Sequence, residues 1–141
     1  MMRALFVVLA VLLPTAVIAE STRITMYVNP QCGCCESHAQ YLRENGFEVT
    51  VTPTNTMSLI RKKHGVPEKL EGCHIALVGG YVVEGHVPAN AIKKLLAERP
   101  RIRGISLPGM PEGSPGMTGT KVAPFEILEI SDGPTKVFAV E

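Results

Sequence analysis

Three thiols fall within four residues, Cys32, Cys34 and Cys35, with only Gly33 among them. The fourth and last cysteine, Cys73, is followed at once by His74. Thiolates gathered at one locus are good ligands for soft or borderline ions: Cu(I), zinc or an iron–sulfur cluster. Adjacent cysteines suit bridging thiolates in a multi-copper cluster better than the two-residue spacing of zinc sites. Met110 and Met117 are soft thioethers that also suit Cu(I). Copper, mainly as Cu(I), is therefore the expected ion, ahead of zinc. The candidate ligands are Cys32, Cys34, Cys35 and Cys73, with His74, His38, Met110 and Met117. His38 follows Cys34 by four residues and Cys35 by three, hence on the same helical side. Its plainer role is a partly exposed surface histidine. The plainer role of the two methionines is a mobile loop anchored by apolar contacts. His64 reads as a helix-end residue and His86 as a cap or loop residue.

The same cysteines support a rival chemistry. Cys32-Gly33-Cys34-Cys35 is also a C-x-x-C motif, in which Cys32 could be nucleophile and Cys35 resolver of a thiol–disulfide oxidoreductase. In an oxidising compartment four cysteines default to two structural disulfides, which would make the chain a stapled binding module. The spacing argues against that default. Neighbours, or cysteines one residue apart, bridge only with strain, so Cys32 pairs comfortably with Cys35 alone and Cys34 is left for Cys73. Whether the chain turns over a substrate stays open.

The elements that must position these residues follow from pattern. Ile24 to Val28 is rich in β-formers, and Asn29-Pro30-Gln31 turns the chain. Cys34 to Asn45 is helical in period, with Gly46 as its stop, and Phe47 to Val51 alternates as a strand. Met57 to His64 reads as a second helix closed by Gly65. Ile75 to Val78 and Tyr81 to Glu84 read as strands joined by the hairpin turn Gly79-Gly80. Pro88 opens a third helix that ends near Pro100. The order β-α-β-α-β-β-α is that of a thioredoxin-like α/β core, about residues 23–100, with helices on both faces of a small mixed sheet. Beyond Arg101 come a Gly/Pro/Met loop and a terminal hairpin, Phe125 to Ile130 and Thr135 to Val140, which extends or covers the sheet. In that fold the reactive cysteines sit at the N-terminus of the first helix, where orphan N–H groups and the helix dipole favour thiolates. The loop before the third strand faces them and normally carries a cis-proline. Here it is Gly72-Cys73-His74, so the fold brings Cys73 and His74 to the cluster.

Composition bounds the partners. Met1-Met2-Arg3, the apolar run Ala4 to Leu13, Pro14 and the small-residue end at Ala19 form an expected secretory signal over residues 1–19, too short to span a bilayer. The mature chain, 20–141, reads as a single exported domain located in the periplasm. Its formal charges balance, and no basic stripe or polybasic segment marks it for nucleic acid or for a membrane surface after signal cleavage. Its expected partner is small.

These residues together resemble a bacterial family of exported metal-binding proteins, long of unknown function, that includes the copper-resistance protein CopG. The pieces that carry the resemblance are Cys32-Gly33-Cys34-Cys35, Gly46-Phe47, Gly65-Val66-Pro67, Gly72-Cys73-His74, the run Val78 to Ala89, Pro108 to Pro111 and Gly113 to Met117. The resemblance implies a thioredoxin-like fold, a role in periplasmic copper handling and resistance beside other copper-handling proteins, and a cysteine-bridged copper cluster with redox cycling between Cu(I) and Cu(II). Carried over by position, Cys32, Cys34, Cys35 and Cys73 are its ligands. Relatives carry tryptophan where this chain has His38, and threonine where it has Ile75. The first departure bears on the exact ligand set.

Overall fold

The computed structural model describes residues 22–141, and the expected secretory segment lies outside them. β1 (Arg23–Val28) buries Ile24, Met26 and Val28 on one side, as a period of two requires. α1 (Gly33–Glu44) follows after a short turn. Its stripe Cys35, His38, Ala39 and Leu42, spaced by three and four residues, is wholly buried. Asn45 ends it, and Gly46 turns the chain at φ 92° into β2 (Glu48–Pro53). β1 and β2 pair in parallel, Ile24 opposite Val49, so the helix serves as their crossover.

α2 (Met57–Lys63) and a 3₁₀ turn (Glu68–Leu70) lead to β3 (Ile75–Val78), which runs antiparallel to β1 with Met26 opposite Ala76. Gly79 and Gly80, at φ 55° and 86°, form the tight turn into β4 (Tyr81–Glu84). α3 (Ala89–Glu98) then crosses to β5 (Gly104–Ser106), parallel to β4. β6 (Glu126–Ile130) and β7 (Val137–Val140) complete one seven-stranded mixed sheet in the order β2-β1-β3-β4-β5-β6-β7. The terminal hairpin thus extends the sheet instead of covering it. β5 is the element that pattern reading misses. Three fully buried residues are too short to show a period.

The sheet has an apolar core on each face. Tyr81 and Val83 of β4 join the larger cluster, with Ala39 and Leu42 of α1 and Ile92 and Leu95 of α3. Val82 points the other way, into the smaller cluster with Ile75, Ile130 and Leu70, against which Met57 and Ile60 of α2 pack. Burying one such aliphatic side chain contributes about 1.5–3 kcal/mol, so two covered faces hold the sheet rigid. Both α1 and the β3 approach are thereby pinned, and the cysteines at their ends inherit that rigidity. Among the described residues no helix is long and apolar enough to cross a membrane.

Candidate metal centre

The four cysteines come from two places that the sheet holds together. Cys32 caps α1 with extended backbone and makes no side-chain cap hydrogen bond, and Cys34 and Cys35 lie in the first turn. Cys73 arrives from the loop before β3, the strand beside β1. Its Sγ lies 3.0 Å from that of Cys32, 3.4 Å from Cys34 and 3.3 Å from Cys35, so it is the hub of the cluster. Cys32 and Cys34 are 3.5 Å apart. Cys32 and Cys35 are joined as a disulfide, while Cys34 and Cys73 remain free thiols. Burial pushes the Cys73 thiol up to about 12, helped by its hydrogen bond with Cys34 and opposed by the nearby Arg61. A soft cation among these sulfurs would supply the compensating charge and release the proton.

The hub is held from below by a buried ion pair. Arg61 of α2 reaches Glu84 Oε1 at 2.6 Å, donates to the Gly72 carbonyl at 2.8 Å and meets Glu71 at 3.3 Å. Glu84 in turn accepts the Gly72 N–H at 2.9 Å. Burial raises the Glu84 carboxyl, against the hydrogen bonds from Arg61 and Gly72 that lower it. The loop also needs glycine. A Cβ on Gly72 would stand 2.6 Å from the Gly85 Cα. Gly72→Ala is therefore expected to cost about 1–3 kcal/mol of stability and to move the Cys73 amide resonance. An unchanged urea midpoint with an unchanged amide spectrum would remove this contact from the account.

A second cluster, of three histidines, lies against the first. The His38, His74 and His86 rings form a triangle with each pair of centroids 4.9 Å apart. His38 and His74 are hydrogen-bonded, Nδ1 to Nε2, at 2.8 Å. His38 Nε2 is 3.0 Å from the Val87 carbonyl, and His86 Nδ1 is 2.7 Å from the Pro115 carbonyl. Burial is the first cause that lowers all three: His38 to about 3, His74 well below its ordinary value, and His86 against its Pro115 bond. Among the described residues, His74 Nδ1 and His86 Nε2 are buried side-chain atoms with no hydrogen-bond partner, as is Glu84 Oε2.

The structure corrects the reading of two histidines. His38 is not a partly exposed surface residue but is 1% exposed, because the loop folds over it: Gly116, at φ 82°, rests where a Cβ would meet the His38 backbone N at 2.5 Å. His86 is not merely a cap or loop residue; it is fully buried beside His74. It was the residue missed. The register that sets Ile75 opposite Glu84 continues with Gly85 N–H donating to the His74 carbonyl, and the next step brings His86 to the level of Cys73. His64 stays where expected, after the last residue of α2. Met110 is exposed and Met117 half-buried, in the loop whose Pro115 and Gly116 touch the histidines.

Two sets of groups lie close enough to hold an ion. In each, Cys32, Cys34, Cys35 and Cys73, or Cys73, His74 and His86, the ligand atoms are all within 4.8 Å of one another. The first set is all sulfur and the second mixed, so together they offer soft and borderline donors around one shared thiol.

The family described as "Protein of unknown function, DUF411" matches residues 70–117. No curated protein matches. The solved structure of copper resistance protein CopG, Form 1, is 37% identical with a TM-score of 0.79, covering 86% of this chain and 98% of that one. Form 2 gives 37% identity and a TM-score of 0.78, over 84% and 97%. With its cysteine cluster, its mixed α/β sheet and this similarity along nearly the whole described length, the chain belongs to the family of the copper resistance protein CopG.

Proposed function

We propose that the chain is an exported, periplasmic copper-binding protein of thioredoxin-like fold. It holds Cu(I) in a thiolate cluster of Cys32, Cys34, Cys35 and Cys73 and serves copper resistance by sequestering, relaying or redox-cycling the ion. The observation that carries this is Cys73 within 3.4 Å of each of the other three sulfurs. The name of the solved relatives supports the ion, and the apolar start of the sequence supports export. The β-α-β start, the antiparallel β3–β4 pair and the cysteines at the head of α1 support the thioredoxin-like reading. Four thiolates favour Cu(I) over the harder Cu(II), and adjacent Cys34 and Cys35 favour bridging over a simple zinc site.

The test is metal analysis of reduced protein loaded anaerobically with Cu(I). More than one tightly held copper per chain is expected, and Cys34→Ser and Cys73→Ser should each lose most of it. A load indifferent to Cys73 would sink the cluster. The Cys32–Cys35 disulfide favours a second reading, thiol–disulfide exchange. There a substrate thiolate attacks Cys32 Sγ, the Cys32–Cys35 bond breaks with Cys35 leaving as thiolate, and a second substrate thiol then resolves the mixed disulfide. Turnover of a disulfide substrate by metal-free protein would establish it.

A further inference from the structure

The histidine triangle has a direction. A carbonyl oxygen can only accept, so Val87 requires His38 to carry its proton on Nε2, and Pro115 requires His86 to carry its proton on Nδ1. A neutral His38 then presents a bare Nδ1, and His74, 2.8 Å away, must donate from Nε2. His74 Nδ1 and His86 Nε2 are left as bare lone pairs, and among the described residues these are the buried imidazole nitrogens without partners. One ring nitrogen of each histidine and Cys73 Sγ lie within 4.8 Å of one another, and the bare nitrogens are the ones free to ligate. Donors about 2.0–2.3 Å from a tetrahedral ion stand roughly 3.4–3.6 Å apart, so a closure of about 1 Å completes a three-ligand site.

We propose that His74 Nδ1, His86 Nε2 and Cys73 Sγ form a second metal site, for a divalent borderline ion such as Cu(II) or Zn(II), and that His38 is the positioning residue that keeps His74 in the tautomer the site needs. The proposal deepens the copper-handling reading, on which it rests for the role of Cys73. Imidazole nitrogens suit Cu(II) and zinc, whereas thiolates suit Cu(I). Sharing Cys73 makes the pocket a soft compartment joined to a borderline one. His38 is not a ligand in this arrangement, since both of its nitrogens are engaged. It acts as the hydrogen-bonded partner that orients a ligating histidine.

The test uses Co(II) as the probe on folded protein carrying Cys34→Ser, with the Cys32–Cys35 disulfide intact, so that Cys73 is the one free thiol. One Co(II) per chain is expected, with a sulfur-to-cobalt charge-transfer band and tetrahedral ligand-field bands. His74→Gln and His86→Gln should each weaken binding by at least about tenfold. His38→Phe should weaken it about 10- to 100-fold, the usual cost of losing an outer partner. Imidazole ¹⁵N resonances of the metal-free protein read the tautomer directly. His74 should be protonated at Nε2, become a mixture of tautomers in His38→Phe, and recover in His38→Gln, whose amide can both accept and donate. No cobalt bound, a cobalt spectrum without the sulfur band, binding indifferent to His86→Gln, or His74 protonated at Nδ1 would each overturn the proposal. The Cu(I) load of the reduced protein fails or holds separately, because it reads the thiolate set.

Discussion

Arg61→Met lowers the free energy of unfolding by about 3–5 kcal/mol, the usual cost of leaving a buried charge without its partner. Glu84 is fully buried, and Arg61 contacts it through both Nε at 3.1 Å and Nη2 at 2.6 Å. Removing the guanidinium leaves Glu84 with the Gly72 N–H, and it frees the Gly72 carbonyl as well. Those are the bonds that hold the loop carrying Cys73, so the same variant should weaken the copper load. Adding Glu84→Gln to Arg61→Met should recover much of the stability, because a neutral amide removes the buried charge while still accepting from Gly72. Urea midpoints at constant slope check both variants. A loss under about 1 kcal/mol in Arg61→Met, or a double variant no better than the single, would show that the pair does not anchor this loop.

Metal-free protein loses stability steeply on acidification, beginning near pH 6.5. A histidine whose folded pKa lies below its unfolded value binds fewer protons when folded. Stability is therefore full above the unfolded value and falls as pH drops toward the folded one. His38, held down to about 3 by burial, stays neutral in the folded state through that window while its unfolded counterpart takes up a proton, and His74 and His86 add in the same direction. Each proton difference is worth about 1.4 kcal/mol per pH unit, so His38 alone contributes on the order of 3 kcal/mol by pH 4.5. Glu84, raised by burial, works in the opposite sense. Unfolding curves in chelator from pH 7.5 to 4.5 should show the slope, and His38→Phe should flatten it. A wild-type protein equally stable at pH 7 and pH 5 would contradict the neutral triangle.

What the sequence by itself determined is local. The alternation of Ile24, Met26 and Val28, the helical period from Cys35 to Leu42 and the Gly79-Gly80 turn follow from spacing and backbone freedom. The terminal hairpin was legible for the same reason. The meeting of Cys73 with the Cys32–Cys35 turn was legible only through an assumed strand order, and the structure supplies that order: β1 lies beside β3. The burial of His38 was beyond sequence reasoning, because it depends on a loop nearly 80 residues later closing over the helix. His86 lay between these cases. Register arithmetic from the Gly79-Gly80 turn would have brought it level with Cys73, but whether a residue past a strand end points into the core or into solvent is decided by what covers it. Here Pro115 covers it. Local periodicity is written in neighbouring residues, whereas long-range closure is set by how complete sheets and loops pack, and the division of the cluster into sulfur and imidazole halves is of the second kind.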